Sequence, residues 1–238
     1  MKVAIVTGGS RGIGGAIATR LAADGVGVGV NYCSNQTAAD DLVAKIGNAA
    51  IAVQADIGDP DQVVGLFDAT QDHFGGLDVL VYNANTNATF STVAAARAED
   101  FDATFVTNTR AMFVAFREAA NRLHDGGRIV FVSSGATTFH LPGFGLYSAA
   151  KAAGEQFVRT LAHELGPRGI TVNSVLPGPT RTASFDDRPS GADEHVISRT
   201  PLGRLGRPAD IADIVGFLVS DDGRWLTGQS INAGGGMF

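Results

Sequence analysis

One cysteine, Cys33, and one tryptophan are all that 238 residues contain of either type. A lone cysteine excludes an intrachain disulfide and any cysteine-cluster zinc site, and it fits a reducing compartment, so a cytoplasmic setting is expected. Charge is also sparse, at 18% of residues against the roughly 25% of an average domain. With 45% of residues hydrophobic, the chain is nevertheless far from the composition of a disordered segment. Positive charge is the scarcer sign, 18 Lys and Arg against 24 Asp and Glu, for a formal net charge of −6. Such a molecule repels a phosphodiester backbone and no basic cluster offsets this, so nucleic acid is not an expected partner. Long apolar runs are missing as well. Val3 to Val6 breaks off at Thr7, too short for a signal segment, and nothing approaches the ~18 apolar residues of a membrane span. A soluble protein with no membrane partner is expected.

What the chain has in excess is glycine, 31 of 238 residues, about twice the usual share and without the three-residue period of collagen. Short Val/Ile-rich runs alternate with longer stretches of helical periodicity: Val3 to Val6, Val26 to Val30, Ala50 to Val53, Val79 to Val81, Ile129 to Val132, Thr171 to Val175 and Ser230 to Asn232. Runs that are apolar at nearly every position suit strands buried on both faces, joined by crossover helices. The pattern predicts a single α/β domain, a doubly wound parallel sheet of seven strands and Rossmann-like, because a closed barrel needs one more repeat.

The first strand ends in Thr7, Gly8, Gly9, Ser10, Arg11, Gly12, Ile13 and Gly14, and Ile13, Ile17 and Leu21 then mark one helical face. A glycine turn between strand and helix lets backbone N–H groups and the positive end of the helix dipole approach a pyrophosphate. The phosphate-loop pattern is excluded, since Gly15 and Ala16 stand where it requires Lys and Ser or Thr. The spacing Gly8-x-x-x-Gly12-x-Gly14 also differs from G-x-G-x-x-G.

Tyr147 and Lys151 lie four apart at the start of the helical run Tyr147 to Leu165, and so share a face. Alone, this pair is a frequent surface pattern. Ser134 follows the fifth strand at the carboxyl edge, where open α/β sheets place their sites. In the helical stretch Ala98 to Leu123, an inward stripe of Phe101, Phe105, Met112 and Phe116 is expected, with Asn108 upon it. A buried amide there needs partners.

Together these residues resemble the short-chain dehydrogenase/reductase family over essentially the whole chain. The resemblance rests on Thr7-Gly8-x-x-x-Gly12-x-Gly14, Asp56, Asn83-Ala84, Asn108, Ser134, Tyr147-x-x-x-Lys151, and Pro177-Gly178 leading to Thr182. It implies a catalytic set of Asn108, Ser134, Tyr147 and Lys151, with no metal. It also implies dinucleotide contacts from Gly8, Ser10, Arg11, Gly12, Ile13, Gly14, Asn31, Ser34, Asp56, Ile57, Asn83, Ala84, Tyr147, Lys151, Pro177, Gly178, Thr180 and Thr182. Residues 1–100 would mainly hold the cofactor, and 101–238 would carry catalysis. Where the family usually reads Asn-Asn-Ala-Gly, this chain has Tyr82-Asn83-Ala84-Asn85. Pro201-Leu202-Gly203-Arg204 and Thr227-Gly228-Gln229 are similar to 3-oxoacyl-[acyl-carrier-protein] reductases. Sugar, steroid and small-alcohol substrates stay open, as does a non-catalytic dinucleotide-binding regulator. Carrier-protein recognition is also open, since the strand entries that would meet an acidic carrier offer Arg168 but also Asp125.

Reduction of a ketone puts charge on the carbonyl oxygen, which requires an acid. Tyr147 is the candidate, and a cation about 4 Å away is worth about 4 kcal/mol at an effective dielectric near 20, enough to lower a phenol by roughly 3 units. Lys151 is expected to do so. The family resemblance further implies that Lys151 binds ribose hydroxyls and that Asn108 positions a water. The end of the second strand, Asn31 to Asn35, carries no carboxylate to read an adenosine ribose. Arg11 stands where NADPH-preferring relatives place a base, so NADP(H) is expected over NAD(H), with Ser34 and Asn35 as further donors.

Competing chemistries fail on single residues. His163-Glu164 begins a zinc-protease pattern that Pro167 ends, and Ser134 lacks the glycine elbow of a hydrolase. His140 reads as a solvated loop residue. The stretch Pro177 to Pro208 reads as a long loop, with Thr180 to Arg199 a lid and Phe185, Val196 and Ile197 its apolar wall. Small and apolar residues on the outer helical face, among them Ala149, Ala153 and Phe157, together with the resemblance, lead to an expected homotetramer.

Overall fold

The computed structural model describes residues 1–85, 90–182 and 192–238, and of Thr107 and Ala192 only the backbone. Seven strands form one parallel sheet: β1 (Val3–Val6), β2 (Gly27–Tyr32), β3 (Ala50–Gln54), β4 (Val79–Tyr82), β5 (Arg128–Val132), β6 (Thr171–Pro177) and β7 (Ser230–Ala233). Their order is β3-β2-β1-β4-β5-β6-β7, so the direction of winding reverses between β1 and β4. Such a switch point leaves a crevice at the carboxyl ends of the two strands.

Successive residues of each strand feed opposite layers, which is why the strands read as unbroken apolar runs. Val3, Ile5, Leu80 and Tyr82 face a core completed by α3 (Pro60–Phe74), α5 (Ala111–Arg122) and α6 (Gly145–Leu165). Ala4, Val6, Val79 and Val81 face a second core beneath α1 (Gly12–Ala23). The same layer holds α2 (Gln36–Ile46) and α8 (Pro208–Val219), which supplies Ile211, Val215 and Leu218. Helix α4 (Ala98–Thr104) leads into α5, and α7 (Ala192–Ser198) interrupts the stretch expected to be a loop. Residues 183–191, with Phe185, lie outside the described residues, while Val196 and Ile197 are half-buried on α7. Among the described residues no helix is long and apolar enough to cross a membrane.

One expectation is corrected. Ala98 to Leu123 is not a single α-helix, because Phe105–Arg110 forms a π-helical turn between α4 and α5. A widened turn takes up an extra residue and shifts the helical phase by about 100°. Met112 and Phe116 are accordingly buried, whereas Phe101 is 46% exposed and stacks on Phe105 at 4.3 Å. The inward stripe therefore begins after the turn, although Asn108, within it, is buried.

Candidate active site

Tyr147, Lys151 and Glu155 are spaced four apart on α6, so they form one row along it. Each meets one of three consecutive residues leaving β5. The Lys151 ammonium donates to the Val132 carbonyl at 3.0 Å. The Ser133 hydroxyl donates to Glu155 Oε1 at 2.6 Å. The Ser134 hydroxyl bonds the Tyr147 phenol. Ser134 is itself held, since its oxygen accepts from the Ala136 N–H at 3.2 Å and caps a 3₁₀ turn. The Ser148 hydroxyl, donating to the Ala136 carbonyl at 3.0 Å, ties that turn back to α6.

The electrostatics differ from the expectation that Lys151 lowers Tyr147. Burial raises the phenol above its ordinary value, and only the Ser134 hydrogen bond opposes this. The Lys151 ammonium lies 6.0 Å from the center of the Tyr147 ring and 5.1 Å from that of Phe131, with one of its N–H groups hydrogen-bonded to the strand. Desolvation pushes Lys151 down to about 8, against the pull of Glu155. Asn108 donates to the Thr104 carbonyl at 3.0 Å from the π-helical turn, a kind of helix defect often found at functional sites.

On the other side of the crevice, the glycine turn is braced from within. Asn31 is buried, its Oδ1 accepting from the Gly8 N–H at 3.0 Å and its Nδ2 donating to the Ala55 carbonyl at 2.9 Å. Its side chain thus supports the turn from below. Asn83 does similar work, with Nδ2 donating to the carbonyls of Thr7 and Gly8, both at 3.1 Å. The Thr7 hydroxyl accepts from the N–H groups of Asn83 and Ala84. A Cβ on Gly14 would stand 2.2 Å from the Gly8 carbonyl oxygen, so that glycine is required by packing alone. Gly12, at φ +57°, needs the left-handed freedom of glycine to start α1.

The donor set fits a dinucleotide phosphate. No side chain caps α1 and its first turn carries no acid, whereas Asn35 and Asp59 cap α2 and α3. Arg11, at the same helix start, is exposed, and its side chain makes no ion pair or hydrogen bond with a described residue. Ser10 and Ile13 are half-buried beside it, and Ser34 is exposed after β2. Asp56 is exposed, with Oδ1 accepting from the Gly58 N–H at 2.8 Å, and the Ile57 side chain is buried in the core. The segment after Pro177 runs beside the glycine turn. Gly178 donates to the Ala233 carbonyl, Thr180 bridges to Gly206, and the Thr182 methyl lies 3.5 Å from where a Gly12 Cβ would be. His140 is exposed.

The family profile described as Enoyl-(Acyl carrier protein) reductase matches residues 8–238. The chain belongs to the short-chain dehydrogenase/reductase family. Versicolorin reductase stcU of Emericella nidulans is 42% identical to it, the match spanning 100% of this chain and 96% of that protein. The NADPH-dependent aldehyde reductase-like protein of Arabidopsis thaliana chloroplasts is also 42% identical, over 99% of this chain and 93% of the relative. A short-chain dehydrogenase of Burkholderia cenocepacia, solved in complex with NADP, superposes with a TM-score of 0.92 at 43% identity, covering 99% of this chain and 97% of that one. This short-chain dehydrogenase/reductase is an oxidoreductase acting on carbonyls and alcohols through a nicotinamide cofactor. Glu155 and Ser133 were not singled out from sequence, although the four-residue step from Lys151 to Glu155 was there to be read.

Proposed function

We propose that the protein is an NADP(H)-dependent reductase that turns a ketone into a secondary alcohol. The observation that carries this reading is the row on α6 held against the end of β5, which brings a phenol, an ammonium and a serine hydroxyl to the carboxyl edge of the sheet. A bound NADPH supplies the hydride. Because burial raises its pKa, Tyr147 keeps its proton at neutral pH and can give it to the substrate oxygen as the carbonyl becomes an alcohol. Ser134 holds that oxygen by hydrogen bonding. Lys151, a cation below about pH 8, stabilises the phenolate left behind. Asn108 anchors the widened turn beside α6 and supports the water expected in a proton relay. Arg11 and the open start of α1 receive the phosphates, with Ser34 beside the adenosine ribose.

A small-molecule ketone is favoured over an acyl group on a carrier protein. Arg168, the cation that could have met an acidic carrier, is committed to Asp125 at 2.8 Å and to the Ala120 and Leu123 carbonyls. The versicolorin reductase name of a relative points the same way. The test is NADPH oxidation with a panel of acyl thioesters, sugars, steroids and simple ketones. Ketone-dependent oxidation is expected. NADPH binding with no oxidation across the panel would instead support a dinucleotide-binding regulator.

A further inference from the structure

Three rings meet at the mouth of the site. Phe90 packs on Phe144 at 4.6 Å and lies 6.0 Å from Tyr147, while Phe144 stands edge-on to Tyr147 at 6.3 Å and 78°. Phe90 is 58% exposed and Val93, beside the start of α6 at Gly145, is 76% exposed. Scattered apolar residues need no explanation, but adjoining ones that touch the proton donor do. Within residues 90–93 and 138–147 the only ionisable side chain besides Tyr147 is the exposed His140, and the Arg199 guanidinium reaches this stretch only over the Phe139 ring at 4.9 Å, so the surface formed by Phe90 and Phe144 themselves is apolar. We infer that Phe90 and Phe144 form an aromatic platform on which the ring of an aryl ketone lies while its carbonyl reaches Tyr147. This rests on the ketone-reductase reading.

Rings prefer offset or edge-on contact with other rings, worth more than their buried area alone. The probe is therefore a pair of equal carbon frame, 1-tetralone and 1-decalone, with NADPH. The wild type is expected to show the higher kcat/KM for 1-tetralone. Phe90→Leu and Phe144→Leu should each lower the tetralone-to-decalone ratio by about 2- to 12-fold. A wild type that reduces both equally, or variants that keep the wild-type ratio, would overturn the platform and leave the reductase reading standing. Failure to reduce any ketone, decalone and simple ketones included, would remove the reading on which it rests.

A second inference comes from the far end of the α6 row. Glu155 is a buried carboxylate, fixed by the Ser133 hydroxyl at 2.6 Å and within 3.5 Å of the Ser230 hydroxyl. It stands one helical turn from Lys151 on α6 without a direct salt bridge to the ammonium, and a carboxylate so buried persists because hydrogen bonds satisfy it. Ser133, just after β5, and Ser230 on β7 bring hydroxyls to Glu155, while β6, with Ser174, and the widened turn, with Asn108, also pack against α6. The neighbouring titratable groups are Tyr147 on α6 and the buried Tyr82 phenol on β4. We propose that Glu155 is a positioning residue for Lys151, its carboxylate keeping the ammonium charged and aligned on the face that carries Tyr147.

An opposite charge nearby shifts its partner by about 1 to 3 units. Glu155→Gln should therefore move the alkaline limb of kcat/KM for ketone reduction down by about one pH unit, while Glu155→Asp largely restores it. Should Gln prevent folding, Glu155→Leu paired with Ser133→Ala removes the same charge without stranding the Ser133 hydroxyl. A folded variant with a lowered melting temperature and an unmoved alkaline limb would make Glu155 structural only and overturn the assignment.

Discussion

The Lys151 ammonium donates a hydrogen bond to the Val132 carbonyl at 3.0 Å and lies 6.0 Å from the center of the Tyr147 ring. Its influence on the phenol is therefore that of a nearby charge rather than of a hydrogen-bond partner. That charge is also conditional, because burial holds the lysine near 8.

The pH dependence follows from this. Below about pH 8 Lys151 is charged, and Tyr147, raised above its ordinary value, is protonated. Reduction needs both forms, so kcat/KM should be level near neutrality and fall as pH rises through about 8. Initial rates across pH 6 to about 10 check this, since kcat/KM reports the groups of the free enzyme. A profile level to pH 10 would mean that Lys151 keeps its charge or that the charge is not needed.

Cofactor choice is expected to rest on Arg11. A charge-assisted hydrogen bond to the 2′-phosphate is lost in Arg11→Ala, which should lower kcat/KM for NADPH by about 10- to 150-fold and barely change it for NADH. Parallel kinetics with the two cofactors decide it. Equal losses would mean that Arg11 serves the turn and not the phosphate.

Assembly is the third expectation. Phe113 is 45% exposed and its ring lies 5.9 Å from that of Phe157, across α5 and α6, with the exposed Ala149 on the same helix. Such a face suits pairing with a second copy, and light scattering at micromolar concentration should give a tetramer. A monomer would contradict it.

The sheet was legible because strands buried on both faces announce themselves as apolar runs, and all seven fall within two residues of their expected ends. The row on α6 was legible in part. Tyr147 and Lys151 share a face by spacing alone, but Glu155 gains meaning only when Ser133 is seen to bond it. The π-helical turn was not legible, since a phase shift inside Phe105–Arg110 leaves no residue of unusual type. The bracing role of Asn31 was hidden for a related reason, since only the fold shows its amide buried beneath the glycine turn. At Tyr82 the usual asparagine gives way to a ring packed between Phe116 and Phe131, and burial raises that phenol.

The central claim is that Tyr147 gives the proton, and Tyr147→Phe tests it most directly. The ring and its contacts with Phe90 and Phe144 are kept, so folding and NADPH binding, followed by melting temperature and cofactor fluorescence, should stay close to wild type. Ketone reduction should fall by about 100- to 10,000-fold, the usual contribution of a general acid. A folded, NADPH-binding variant within tenfold of wild-type turnover would contradict the account.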